Sequence, residues 1–205
     1  MNLYSLFRRC LYRRYTTSGR SADYDIEFSY RTVYIYFQAS NGLRDWRNNL
    51  DFPARIYKTE NGKKFYAHRG FLSVWESIRE EIDGAINDKK IKSAVCVGYS
   101  HGAALALLCY EYLVRTHPDI KSRIYGYGFG CPRVVWGAKN EAFWHNFTVI
   151  RNIDDIVTHL PPAALGYRHV GQMLKIGRKG AYSPTDAHRP ENIMKELCGI
   201  RYPLS

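Results

Sequence analysis

Apolar residues along this chain fall into short extended runs and longer helical stripes. Residues 32–37 (TVYIYF) are β-branched and aromatic, which predicts a buried strand. Residues 55–59 and 63–67 flank Asn61-Gly62, a pair suited to a two-residue turn, so they predict a hairpin. From Phe71 the apolar positions 71, 75, 78, 82 and 86 trace one helical face that ends near Asn87-Asp88. Residues 93–97 form a short apolar strand. A helical run follows at once from Gly102 to about Thr116, where His117-Pro118-Asp119 stops it. Further strands are predicted over 124–129 and 147–150, with a helix around 139–145 between them and a last helix after Pro190. Strands alternating with helices of this length predict a mostly parallel α/β sheet. No internal repeat or Pro/Gly/Ser-rich linker divides the chain, so one compact domain is expected.

The N-terminal stretch reads differently. Leu3, Leu6, Phe7, Cys10 and Leu11 recur at helical spacing, with Arg8, Arg9, Arg13 and Arg14 largely on the other side. This basic amphipathic pattern sets residues 1–22 apart from a domain over 23–205. It fits a helix lying on a membrane surface, an organelle-targeting segment, or a short helix packed on the domain.

Composition narrows the classes. At 45% hydrophobic and 15% aromatic, the 205 residues exclude a disordered chain. No apolar run approaches the roughly 18 residues of a membrane-spanning helix. Thirty Lys and Arg against 19 Asp and Glu leave a net charge of +11, which raises nucleic acid and anionic lipid surfaces as partners without selecting either. Five cysteines without CxxC spacing indicate neither a zinc site nor a disulfide framework. Arg8 and Arg9 cut the only early apolar stretch short, so no standard secretory signal is expected, and a cytoplasmic or peripheral-membrane location is.

The candidate chemistry centres on Gly98-Tyr99-Ser100-His101-Gly102, a G-x-S-x-G pentapeptide entered by an apolar strand and left by a helix beginning Ala103-Ala104-Leu105-Ala106. Strand, sharp turn and helix are the geometry of a nucleophile elbow, with glycines where a Cβ would crowd neighbouring backbone. The helix N-terminus offers N–H groups and partial positive charge to a developing oxyanion. A serine hydroxyl needs a base, and the base needs an orienting acid, in the chain order Ser, acid, His. Downstream acids include Asp119, Asp154, Asp155 and Asp186, and the histidines are His101, His117, His145, His159, His169 and His188. Order alone does not choose among them. Asp154-Asp155 just after a predicted strand and His188 in a polar loop before the last helix have suitable contexts.

Six blocks, met in one order from about Val33 to His188, resemble the class 3 lipase family, the fungal-type triacylglycerol lipases. Phe37-Gln38-Ala39-Ser40 with Asp45-Trp46 resembles its F-R-G-[TS] segment and D-W pair, and His68-Arg69-Gly70-Phe71 its H-x-G-F block. The elbow is the third block. Phe129-Gly130-Cys131-Pro132-Arg133-Val134 is similar to F-G-S-P-R-V. Asn152 to Val157 with Leu160-Pro161-Pro162 resembles N-x-x-D-x-V and L-P-P, and Tyr167-Arg168-His169 a Y-x-H segment.

The resemblance implies an α/β-hydrolase fold, a mostly parallel central sheet flanked by helices. It also implies a serine hydrolase that cleaves carboxylic esters of lipids through an acyl-enzyme, with Ser100 as nucleophile, Asp155 as acid and His188 as base. Asp154 becomes a solvated neighbour, His68 structural, and His169 part of a non-catalytic strand. His101 and Ser40 are implied as oxyanion donors, and no metal or organic cofactor is implied. The family's lid corresponds to residues 41–50, where Leu43, Trp46 and Leu50 supply a small apolar face. Three departures stand out: Gln38-Ala39 replaces Arg-Gly, His101 stands where the family carries Leu, and little chain precedes Val33 for the usual leading strands. The expected partner is a lipid or small ester, with peripheral contact to an anionic membrane surface and no nucleic acid. Oligomeric state is left open. The alternatives are a phospholipase acting on anionic membrane lipids, and a catalytically silent scaffold that binds membrane or nucleic acid through its basic surface.

Overall fold

A computed structural model describes residues 2–18, 22–38, 53–59, 62, 64–87, 89–137 and 142–199. Helix α1 (Leu3–Leu11) precedes strands β1 (Thr16–Ser18), β2 (Ala22–Ser29) and β3 (Thr32–Phe37). The hairpin β4 (Ala54–Lys58) and β5 (Lys64–His68) leads into helix α2 (Arg69–Asn87). Strand β6 (Ser93–Tyr99), helix α3 (His101–Thr116) and strand β7 (Ile124–Phe129) follow. The chain then forms β8 (Val135–Trp136), β9 (Phe147–Asn152), β10 (Tyr167–Arg168), β11 (Gln172–Ile176) and helix α4 (Pro190–Cys198).

The central sheet runs β1-β2-β3-β6-β7-β9-β11, parallel from β3 to β11 and antiparallel at the β1-β2-β3 edge. A smaller antiparallel sheet runs β10-β8-β5-β4. Side chains alternate across the central sheet. Val33, Ile35, Phe37, Ala94 and Cys96 pack in one core with the apolar face of α2 and with α3. Tyr36, Val95, Val97, Tyr99 and Phe129 pack in a second core with Leu3, Leu6 and Phe7 of α1 and Ile193 and Leu197 of α4. Every residue of α3 from Gly102 to Leu113 is buried, the signature of a helix enclosed on all sides.

Two expectations need correction, and the packing of α1 decides among the alternatives left open for it. Of the helix expected around 139–145, residues 139–141 lie outside the described residues, and Ala142–Trp144 form a short 3-10 turn. Phe143 and Trp144 both contact Tyr110 of α3. Leading strands are present after all, as β1 and β2. Their signal is weak because Asp23, Asp25 and Glu27 interrupt the apolar positions of β2, and those acids have a local use: Arg9 bonds Glu27 at 2.5 Å, and Arg13 bonds Asp25 and, at 2.6 Å, Glu27. The apolar face of α1 is covered by the sheet and by α4, so it is not presented to a membrane.

Candidate active site

Strand β6 ends at Tyr99 and α3 begins at His101, which leaves Ser100 alone in the turn at φ 56° and ψ −121°. Such a conformation costs an L-residue about 1–3 kcal/mol, and the surroundings hold it. A Cβ on Gly98 would lie 2.1 Å from the Gly102 carbonyl oxygen, and one on Gly102 would lie 2.3 Å from the Phe37 carbonyl oxygen. Strand, turn and helix therefore approach more closely than any side chain allows. The Ser100 N–H donates to Phe129 O of the neighbouring β7 at 2.9 Å. At the first turn of α3 the His101 N–H has no protein acceptor among the described residues.

Above this turn lies His188, carried by a 3-10 turn at Asp186–His188. Its Nε2 is 2.8 Å from Ser100 Oγ, and its Nδ1 is 2.8 Å from Asp155 Oδ2. A carboxylate only accepts, so Nδ1 carries the proton and the Nε2 lone pair faces the hydroxyl. Asp155 is fully buried just beyond β9, and its Oδ1 accepts the Val157 N–H at 2.9 Å. The Thr158 hydroxyl donates to Asp155 O at 2.8 Å, which pins the same loop. Hydroxyl, imidazole and carboxylate thus stand in one buried row able to pass a proton from Ser100 to His188 while the carboxylate steadies the ring.

Two residues without an assigned role on sequence grounds belong to this centre. Tyr99 stacks on the His188 ring at 5.2 Å between centroids, and its hydroxyl donates to His188 O at 2.6 Å. Gly130, at φ 57°, leaves space for the imidazole: a Cβ there would lie 2.7 Å from His188 Cε1 and 3.2 Å from Asp155 Oδ2. A glycine in the F-G-C-P-R-V block was the available signal for the second. An unremarkable x position gave none for the first.

The remaining candidates lie elsewhere. Burial lowers the His101 imidazole to about 4, so it is neutral, and its ring meets Phe71 edge-on at 5.4 Å. Asp154 is more than a solvated neighbour, because its Oδ2 accepts the Gly180 N–H at 2.7 Å. Asp186 accepts from Ser183 Oγ at 2.6 Å and pairs with Arg189. His68 Nδ1 accepts the Gly70 N–H at 3.2 Å and so serves the start of α2. His169, lowered to about 4 by burial, donates from Nε2 to Thr158 O at 2.7 Å, and His159 contacts Arg151. His117 bonds Thr116 and His145 bonds Gln172. Ser40, Leu43, Trp46 and Leu50 lie outside the described residues. Among the described residues no three His, Cys, Asp or Glu side chains gather as a metal site.

Comparison with known proteins agrees with this geometry. The family model "Lipase (class 3)" matches residues 34–165, well over half of the chain. A lipase of Rhizomucor miehei is 33% identical over 172 residues, covering 77% of this chain and 44% of that protein. Secreted mono- and diacylglycerol lipase 1 of Fusarium solani is 26% identical over 166 residues, covering 75% and 46% respectively. The chain thus spans less than half the length of these curated relatives. Among solved structures, a triacylglycerol lipase whose catalytic centre is described as a serine protease triad superimposes with a TM-score of 0.69 at 27% identity, covering 80% of this chain and 66% of that one. The fold is that of an α/β-hydrolase, and the chain belongs to the class 3 lipase family.

Proposed function

We propose that this chain is a serine hydrolase that cleaves carboxylic esters of lipids through an acyl-enzyme. The observation that carries the reading is the buried row Ser100, His188, Asp155, with 2.8 Å at each junction and the serine held in a strained elbow. His188 Nε2 takes the hydroxyl proton as Ser100 Oγ bonds to the ester carbonyl carbon. The carbonyl oxygen becomes an oxyanion beside the His101 N–H, and Ser40 is its second donor on this reading. One such donor is worth about 3 kcal/mol of barrier. Collapse breaks the bond to the alcohol, which leaves with the proton from His188. Water then attacks the acyl-enzyme with His188 as base, releasing the acid and restoring Ser100. The relatives named as lipases support a lipid ester as substrate. Contact with an anionic membrane surface is part of the same proposal, and the net charge of +11 favours it.

Incubation with a fluorophosphonate is expected to label Ser100. Ser100→Ala is expected to lower hydrolysis of p-nitrophenyl butyrate by about four orders of magnitude or more. Undiminished hydrolysis by Ser100→Ala sinks the proposal.

A further inference from the structure

A solvated sheet face ordinarily alternates to polar residues. The outer face of the small sheet does not. Ile56 of β4 pairs directly with Tyr66 of β5, and Tyr66 pairs with Trp136 of β8, so the three side chains form one row across three strands. The Tyr66 and Trp136 rings meet edge to face at 5.3 Å. Trp136 Nε1 donates to Leu165 O at 2.7 Å, which sets Leu165 beside the end of the row. These residues are 46%, 43%, 41% and 53% exposed in chain order. The same strands fill their inner face with buried Tyr57, Ala67 and Val135, so the outer row is surplus to the core. A clustered exposed row of this kind marks an interaction surface, whereas scattered apolar residues do not.

Two positions along the same face, Lys58 and Lys64 stand directly opposite one another across the β4–β5 pair. Both are exposed, and neither has a carboxylate partner among the described residues. Like charges directly opposite destabilise a strand pair, and an external anionic surface relieves the repulsion. Aromatic rings with a polar edge, flanked by lysines, suit the boundary between acyl chains and anionic head groups. The alternative docking element, α1, has its apolar face buried against the sheet.

Short stretches of chain tie the row to the catalytic centre. β8 begins a few residues after Gly130, which makes room for His188, and Trp136 is at most about 20 Å of extended chain from that glycine. The loop that starts at Asp155 ends at Leu165, and Phe71, just past β5, touches His101. We propose that Ile56, Tyr66, Trp136 and Leu165, with Lys58 and Lys64, dock this protein on an anionic lipid bilayer. The binding is independent of chemistry, and only its purpose, delivering lipid esters to Ser100, rests on the hydrolase reading.

The test uses the full chain and vesicles of ether-linked lipids, which the proposed chemistry leaves intact, either neutral phosphatidylcholine or a mixture with phosphatidylglycerol. Wild type is expected to co-sediment with the anionic vesicles, more weakly at high salt. Ile56→Ser/Tyr66→Ser/Trp136→Ser is expected to bind about tenfold more weakly or worse while hydrolysing dissolved p-nitrophenyl butyrate at the wild-type rate. Lys58→Glu/Lys64→Glu is expected to lose only the preference for anionic vesicles. Lipids brominated on the acyl chain are expected to quench wild-type tryptophan emission and to quench Trp136→Phe much less, a readout that needs no disruptive variant. Full vesicle affinity in the triple variant, or quenching undiminished in Trp136→Phe, overturns the proposal. So does a wild-type dimer that the triple variant abolishes without any vesicle binding, since the row would then be an interface between copies. Vesicle binding without ester hydrolysis leaves the docking surface standing and removes the hydrolase reading instead.

Discussion

Ser100 stands out in the sequence through its G-x-S-x-G elbow, whereas Asp155 and His188 were chosen among several acids and histidines only through the family resemblance. Tyr99 carries no such signal, since its contribution passes through a main-chain carbonyl and a stacked ring, contacts that residue type alone does not encode. Burial pushes its phenol well above the ordinary tyrosine range, with the Asp155 charge adding to the effect, so the hydroxyl stays a donor at every working pH. Tyr99→Phe keeps the ring and removes the bond to His188 O. On the proposed chemistry, kcat for a soluble ester is expected to fall about three- to tenfold with KM unchanged. An unaltered kcat would confine Tyr99 to packing. His101 offers a second test. Its folded-state value of about 4 lies below the ordinary 6.5, so between those limits the unfolded chain binds more protons. The contribution of a neutral His101 is therefore fully present above pH 6.5 and is lost as pH falls toward 4, at up to about 1.4 kcal/mol per pH unit. His101→Leu, which keeps the backbone N–H, is expected to show a shallower acid slope in denaturant titrations across that window. Superimposable slopes would refute the assignment.

At the scale of elements, a periodic apolar stripe identified α2, whereas β3, β6, β7 and α3 were identified as apolar runs by their length, β-branched or aromatic content and flanking breakers. Periodicity failed where tertiary partners replace it. β2 alternates acids that pair with Arg9 and Arg13, and β8 and β10 are too short to carry a pattern. The glycines of the elbow were legible, and their physical demand is severe. Gly98→Ala puts a methyl 2.1 Å from a backbone oxygen that cannot move without displacing α3, so a loss of more than about 3 kcal/mol is expected in urea unfolding. Gly84 sits exposed in α2 with nothing within 4 Å of an added Cβ. Gly84→Ala is expected to stabilise the protein by about 0.5–1 kcal/mol through helix propensity. If both substitutions gave the same small change, the close approach at the elbow would be wrong.

For the whole molecule, the sequence conveyed an α/β fold. It did not convey how the N-terminal helix is used. Its apolar stripe was plain, yet a stripe fits a bilayer and a sheet equally well, and the choice depends on whether another part of the chain offers a matching face. Here β6 and α4 do. Burying Leu3, Leu6 and Phe7 contributes about 1.5–3 kcal/mol each, a sum comparable to the total stability of a domain. Deleting residues 2–11 is therefore expected to abolish cooperative unfolding by circular dichroism. A truncated chain with an unchanged midpoint would return the helix to the role of an appendage. Arg9 and Arg13 are likewise partly committed to acids of β2, while the outer face of the small sheet sets exposed aromatic residues beside two lysines.

The contact sequence from Phe7 to Tyr99 to His188 has a consequence for how the protein is made. Phe7 meets the Tyr99 ring at 5.5 Å, and Tyr99 holds His188. The first helix, the middle of the chain and a late loop must all be in place before Ser100 has a partner. Strand, elbow and helix precede residue 188 in the chain, so the serine has no base until that residue has emerged. On the proposed chemistry, ester cleavage begins only when the loop that carries His188 has closed on Ser100.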